Sequence, residues 1–234
     1  MLMLHPLEIA AVFLSLKVAI FAVLIIIVPG VGAGWLLARK EFPGKAVLDA
    51  LVHLPLVLPP VVIGYTLLYL FSNRGPIGAP LQELTGLTLA FTWQGAAVAA
   101  GIVAFPLLVR SVRLAIEAVD PALEDAARTM GKRDHVIFWR ITLPLALPGV
   151  LAGSVLAFAR CLSEFGATIT FVASLPGETR TLPLAIYNVL QTPGGEDAAF
   201  RLSIFAVILA LIALGLSEWL ARRARRRLNG DLHA

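Results

Sequence analysis

Stretches of about twenty mostly apolar residues recur along the chain, each bounded by polar or basic residues. They run over roughly 17–38, 51–71, 89–109, 145–172 and 200–220. About 20 apolar residues in helical form cross the hydrocarbon core of a bilayer, and a helix satisfies all its backbone groups within itself there. The pattern predicts an all-α, polytopic membrane helical bundle of about five transmembrane helices. It leaves a short N-terminal segment (1–16), a polar insert (110–144) and a tail (221–234) outside the hydrocarbon. Pro55, Pro59 and Pro60 remove backbone donors within the second stretch and predict a kink. Gly30, Gly32 and Gly34 in the first predict close helix packing. Leu182–Leu190 is apolar but too short to span, which predicts a re-entrant or surface helix.

Composition sharpens this picture. Of 234 residues, 59% are hydrophobic and 15% charged, against about 25% charged in a soluble domain. Much of the surface therefore faces lipid. Fourteen of the 19 lysines and arginines lie in Arg39–Lys45, in Arg110–Arg140 and in the tail at Arg222, Arg223, Arg225, Arg226 and Arg227. These segments alternate to one side of the membrane, and the positive-inside rule places that side in the cytoplasm. The N-terminus is then on the outer side of the membrane. The first residues lack a basic n-region, so the first helix is expected to remain as an uncleaved anchor. Arginines directly after a span suit an anchor on anionic lipid better than a nucleic-acid patch.

Several chemistries find no support. Cys161 is the single cysteine, which excludes an intrachain disulfide and any cysteine-based metal site. His5, His53, His135 and His233 are scattered and suggest no metal site. A membrane-embedded enzyme needs convergent His, Cys or carboxylate groups, and only Glu164 and Glu218 qualify within the spans, so no catalytic residue is assigned. A phosphate-binding loop needs a first glycine and a hydroxyl residue around its Gly-Lys. Gly44-Lys45-Ala46 has neither, so ATP and its magnesium ion are expected on another subunit.

The insert carries the most specific signal. Asp120-Pro121 is a helix start, because Asp accepts free amide hydrogens and Pro suits the first turn. Glu124 and Asp125 fall where the helix dipole favours anions, and Arg128 where it favours cations. Gly131 supplies a left-handed stop. The helix so bounded is about ten residues, or about 15 Å, long. Ala126-Ala127 gives it a low profile for an approaching partner. Asp134 is expected to cap a second segment, His135 to Thr142, closed by Leu143-Pro144. Joined through a glycine to a span, this hairpin reads as a lever.

The spacing Asp125-Ala126-Ala127, three residues, Gly131, nine residues, Ile141, one residue, Leu143-Pro144 resembles the EAA loop of binding-protein-dependent ABC importer permeases. Here the acidic position reads Glu124-Asp125. Further blocks, Phe42-Pro43-Gly44-Lys45, His53 to Tyr65, Ser163 to Ala173, Pro176 to Thr181 and Gln191 to Glu196, are similar to the ModB family of molybdate permeases. The resemblance covers nearly the whole chain and implies the type I importer permease fold. It also implies a homodimer with a path on its two-fold axis, two cytoplasmic ABC ATPase subunits that bind ATP and magnesium, and a periplasmic oxyanion-binding protein. On this reading Glu124, Asp125, Ala126, Ala127, Gly131, Ile141, Leu143 and Pro144 form the ATPase-docking coupling loop. Permeases for sulfate or tungstate are the alternative; a passive channel would leave that loop without purpose.

A dianion in hydrocarbon faces a large desolvation penalty, so a path must supply donors or positive potential. Arg160 and Glu164, four apart on one expected helix face, can pair, and ionisable groups inside a membrane are functional candidates. Ser163, Thr168 and Thr170 could add hydroxyl donors. These five are the candidate path or gate residues. The loops flanking Leu182–Leu190 are candidates for contact with the binding protein.

Overall fold

Proline, glycine and a few charged side chains decide where each apolar stretch starts, breaks and stops. The computed structural model describes residues 5–230, with side chains described through Leu216 and at Glu218, Trp219 and Arg222. The expected segments 1–16 and 221–234 therefore fall partly outside the described residues. Among the described residues every regular element is helical. The chain runs through α1 (Pro6–Arg39), α2 (Lys45–Val57), α3 (Pro60–Phe71), the short α4 (Gly78–Thr85) and α5 (Trp93–Glu117). In the insert stand α6 (Pro121–Thr129) and α7 (Asp134–Ile137), and a π turn at Phe138–Thr142 leads into α8 (Leu143–Leu162). Last come α9 (Gly166–Val172), α10 (Leu182–Leu190) and α11 (Glu196–Gly230).

Four described segments are long and apolar enough to cross a membrane: Pro6–Arg39, Trp93–Glu117, Asp134–Leu162 and Glu196–Leu216. The α2–α3 pair, bent by 110°, makes a fifth if it is one broken span. The bend falls at Leu58-Pro59-Pro60: each proline pushes the residue before it out of the helical region, and Pro60 then starts α3 in the first helical turn, where its missing N–H costs nothing. Pro55 stays inside α2.

Two expected spans have different limits. The first helix begins at Pro6 rather than near 17, because Pro6 sits in its first turn and Glu8 Oε2 accepts the His5 N–H at 2.7 Å. The fourth begins at Asp134 and ends at Leu162, and 163–165 separate it from α9. Glu164 causes that break locally, since its Oε1 takes the Ala167 N–H at 2.8 Å.

α5 lies at the centre, with Ala96, Ala97, Ala99, Ala100, Ala104, Leu108 and Val112 buried. Small side chains let its neighbours come close. A Cβ at Gly30 of α1 would stand 2.7 Å from Leu108 Cδ2, and one at Gly34 2.6 Å from Val112 Cγ1. Gly32 is not in this seam, since a Cβ there meets nothing within 4 Å; its offset of two residues turns it to another side of the helix. α8 approaches α5 through Gly149 and Gly153, where a Cβ would run into Ala115 and Ser111. α10 has the limits the apolar run predicts and seats Leu182 and Ala185 against Ala11 of α1 and Leu202 of α11.

Most ion pairs gather at the two ends of the bundle. At one end the C-terminus of α1, the start of α2 and the insert meet through Arg39–Glu124, Lys40–Asp134 and Arg113–Asp49. At the other, Arg201 of α11 meets Glu8 of α1 at 3.0 Å.

Candidate functional site

The insert folds from its capping residues outward. Asp120 Oδ1 accepts the Ala122 N–H at 2.9 Å, with Pro121 in the first turn. α6 ends where Gly131 adopts φ +77°. The Lys132 N–H bonds the Ala127 carbonyl at 3.1 Å and the Gly131 N–H the Arg128 carbonyl at 2.9 Å, so the left-handed residue lets the chain cap its own last carbonyls.

The two faces of α6 differ in kind. Asp125 and Ala126 are exposed, with Leu123 (48%) and Met130 (70%) beside them. Glu124 (4%) and Ala127 (2%), expected on the docking face, point into the protein instead. The outer face thus holds one alanine of the pair. Glu124 Oε1 accepts from Arg39 Nε at 3.2 Å and from Thr142 Oγ1 at 2.7 Å. Arg39 also donates through Nη2 to the Val119 carbonyl at 2.7 Å. Asp134 accepts from Lys40 Nζ at 2.9 Å and from Arg128 Nε at 3.1 Å, and Arg128 Nη1 donates to Asp125 Oδ1 at 2.6 Å. Hydrogen bonds to Asp134 and then Asp125 hold the Arg128 guanidinium above its ordinary value, so its charge is secure.

The second half of the insert departs from expectation. Asp134 is the first residue of α7, not its cap; Arg133 occupies the cap without a side-chain bond, and the Asp134 carboxylate is engaged by Lys40 and Arg128. Leu143-Pro144 does not close the segment either. The Leu143 N–H reaches back to the Phe138 carbonyl, and the helix continues as α8 with Pro144 exposed in its first turn. Proline offers no N–H to the carbonyl four residues earlier, and the wider π turn before it absorbs the mismatch. Ile141 and Leu143 are half-buried and Gly131 is exposed.

At the α8–α9 break, Arg160 and Glu164 pair as their spacing suggests, at 2.8 Å. They do not share a helix face, because Glu164 stands in the break itself. Its side chain is 2% exposed and that of Arg160 33%. The hydroxyls of Ser163, Thr168 and Thr170 donate to the carbonyls of Arg160, Phe165 and Gly166. Ser163 is exposed, Thr170 half-buried, and Thr168 buried at 1%. The break packs against the bend between α2 and α3: a Cβ at Gly64 would meet the Ala167 carbonyl at 2.5 Å, and one at Gly166 would meet Pro60 Cβ at 2.8 Å.

Residues 30–226 match the family described as "Binding-protein-dependent transport system inner membrane component". The chain belongs to this family. Among similar curated proteins is the molybdenum transport system permease protein ModB of Escherichia coli K12, 58% identical over 217 residues, which are 93% of this chain and 95% of that one. The Haemophilus influenzae ModB protein is 53% identical, over 94% of this chain and 96% of its own length. The sulfate transport system permease protein CysW of Synechocystis is 36% identical, over 92% and 77%. Of solved structures, the inward-facing MetNI methionine ABC transporter aligns with a TM-score of 0.73 at 19% identity, covering 95% of this chain and 99% of that one. A bacterial alginate ABC importer gives 0.74 at 18%, covering 94% and 80%. At these identities the structures speak to the fold alone, and that fold is the importer-permease fold. The chain is a membrane transport component, not an enzyme.

In this importer component, sequence reasoning missed Arg39, Lys40 and Thr142 as members of the insert's network. The two basic residues were legible only as topology signals, and Thr142 occupies an unspecified position between Ile141 and Leu143. Helical periodicity held a further clue: Leu123, Ala126 and Met130 fall on one side of α6, whereas Glu124 and Ala127 fall on the other.

Proposed function

We propose that the chain is the permease subunit of an ATP-driven molybdate importer of a bacterial inner membrane. The observation that carries this reading is the 58% identity to a molybdenum permease over nearly the full length of both chains. Two copies would enclose the path, with an ATPase subunit, loaded with ATP and magnesium, below each copy. A periplasmic binding protein would deliver the oxyanion from above and set most of the specificity. The distribution of lysine and arginine supports a cytoplasmic insert and C-terminus and a periplasmic N-terminus.

Each part then has a physical task. The outer face of α6, with Asp125, Ala126, Leu123 and Met130, offers a small apolar and acidic surface to an ATPase groove. The continuous α7–α8 helix carries a push on the insert into the bundle. That helix ends at the break where Arg160, Glu164 and α9 meet the bend between α2 and α3, so movement at one end reaches two interrupted helices at the other. Interrupted helices are where transporters gate, because irregular backbone in a membrane is tolerated beside protein or a water-filled cavity.

The test is uptake of radiolabelled molybdate into proteoliposomes holding the chain and its ATPase, supplied with loaded binding protein. We expect uptake that requires enclosed ATP and resists a hundredfold (~100) excess of sulfate, an energy gap of about 2.7 kcal/mol. Uptake abolished by an equal concentration of sulfate would favour a sulfate permease instead.

A further inference from the structure

Within the insert, Asp120, Asp125 and Asp134 are exposed, whereas Glu124 is buried. Only Glu124 and Ala127 of α6 turn into the protein, so the buried polar attachment of this helix to the bundle converges on one carboxylate. Its Oε1 takes the Arg39 guanidinium from the last residue of α1 and the Thr142 hydroxyl from the end of the π turn. Arg39 is itself fixed by its bond to the Val119 carbonyl just before α6. Arg128 Nη2 also stands 3.8 Å from Glu124 Oε2, while the other ion pairs around α6 and α7, Lys40–Asp134, Arg128–Asp134 and Arg128–Asp125, lie among side chains 41–68% exposed. Such pairs exchange readily with water and hold geometry weakly. A buried carboxylate with charged and hydroxyl donors does not exchange so readily, because removing a partner leaves a desolvated charge.

We infer that Glu124 is a positioning residue that makes α6, the end of α1 and the start of α8 move as one body. On the reading of α6 as the ATPase contact, which this inference presupposes, the adjacent acids divide the work. Asp125 faces the partner, and Glu124 transmits its movement inward. Loss of the Glu124 charge then uncouples hydrolysis from transport without detaching the ATPase.

Glu124→Gln keeps volume but sets an amide against the Arg39 donor. Thr142→Val keeps shape and removes the second donor. Both are assayed in proteoliposomes with ATPase and loaded binding protein, recording co-purified ATPase, ATP hydrolysis and molybdate uptake on the same preparation. For E124Q we expect wild-type co-purification, near wild-type hydrolysis, and molybdate carried per ATP lowered about tenfold, as for a lost hydrogen bond to a charged group. T142V should show a smaller fall in that ratio, and the double variant should be no worse than E124Q alone, since both changes break one junction. An unchanged ratio in E124Q overturns the inference. So does a T142V complex in which hydrolysis and uptake fall in proportion, which is the mark of plain scaffolding. A wild-type complex that co-purifies no ATPase, or takes up molybdate without ATP, would instead sink the functional reading underneath.

Discussion

At Gly131 the backbone stands at φ +77° with open space around a would-be Cβ. A substitution there is therefore opposed by the backbone alone, at about 1–2 kcal/mol for a residue with a branched side chain. Asparagine visits this region at lower cost. If α6 must stop here for the hairpin to keep its angle, Gly131→Val should reduce molybdate uptake severalfold and Gly131→Asn should leave most of it. Equal uptake in both variants would show that the angle is immaterial. This glycine was legible in the sequence, as was Asp120, because a capping residue acts on its immediate neighbours. The inward turn of Glu124 was legible only as the side of α6 away from Leu123, Ala126 and Met130, for the partners that bury it, Arg39 and Thr142, lie 85 and 18 residues away.

Among the elements, stretches long enough to span could be read from hydropathy, but their interruptions were only half visible. Paired prolines announced the bend between α2 and α3. The break after α8 has no proline or glycine until Gly166; it depends on a carboxylate side chain taking the place of a backbone acceptor, which periodicity does not record. The π turn was hidden for the opposite reason, since Pro144 reads as a stop and the chain accommodates it by widening one turn. Packing predictions belong at this level too. Gly34→Leu would force a side chain into Val112 and should destabilise the α1–α5 seam by about 1–3 kcal/mol, as overpacking does. Gly32→Leu, two residues away and facing open space, should leave stability unchanged. Thermal unfolding midpoints in detergent check the pair, and an equal drop in both would show that the seam is misassigned.

Among the described residues most ion pairs sit at the two ends of the bundle and the interior between them is mostly apolar. A push at the insert therefore meets few soft polar contacts along α8. It arrives at the paired breaks, where Arg160 and Glu164 pair at the end of α8 and Gly166 and Ala167 pack against Pro60 and Gly64. Coupling requires the insert to lie on the cytoplasmic side of the membrane with the ATPase covering α6. Cys161 is the only cysteine of the sequence and is buried, so Ala126→Cys supplies a clean exposed thiol on the outer face of α6. Labelling that thiol with a membrane-impermeant maleimide, in sealed vesicles of either orientation, is the most direct measurement. The account predicts modification only from the cytoplasmic face, and protection once the ATPase is bound. Modification only from the periplasmic face, or labelling indifferent to the ATPase, would contradict it.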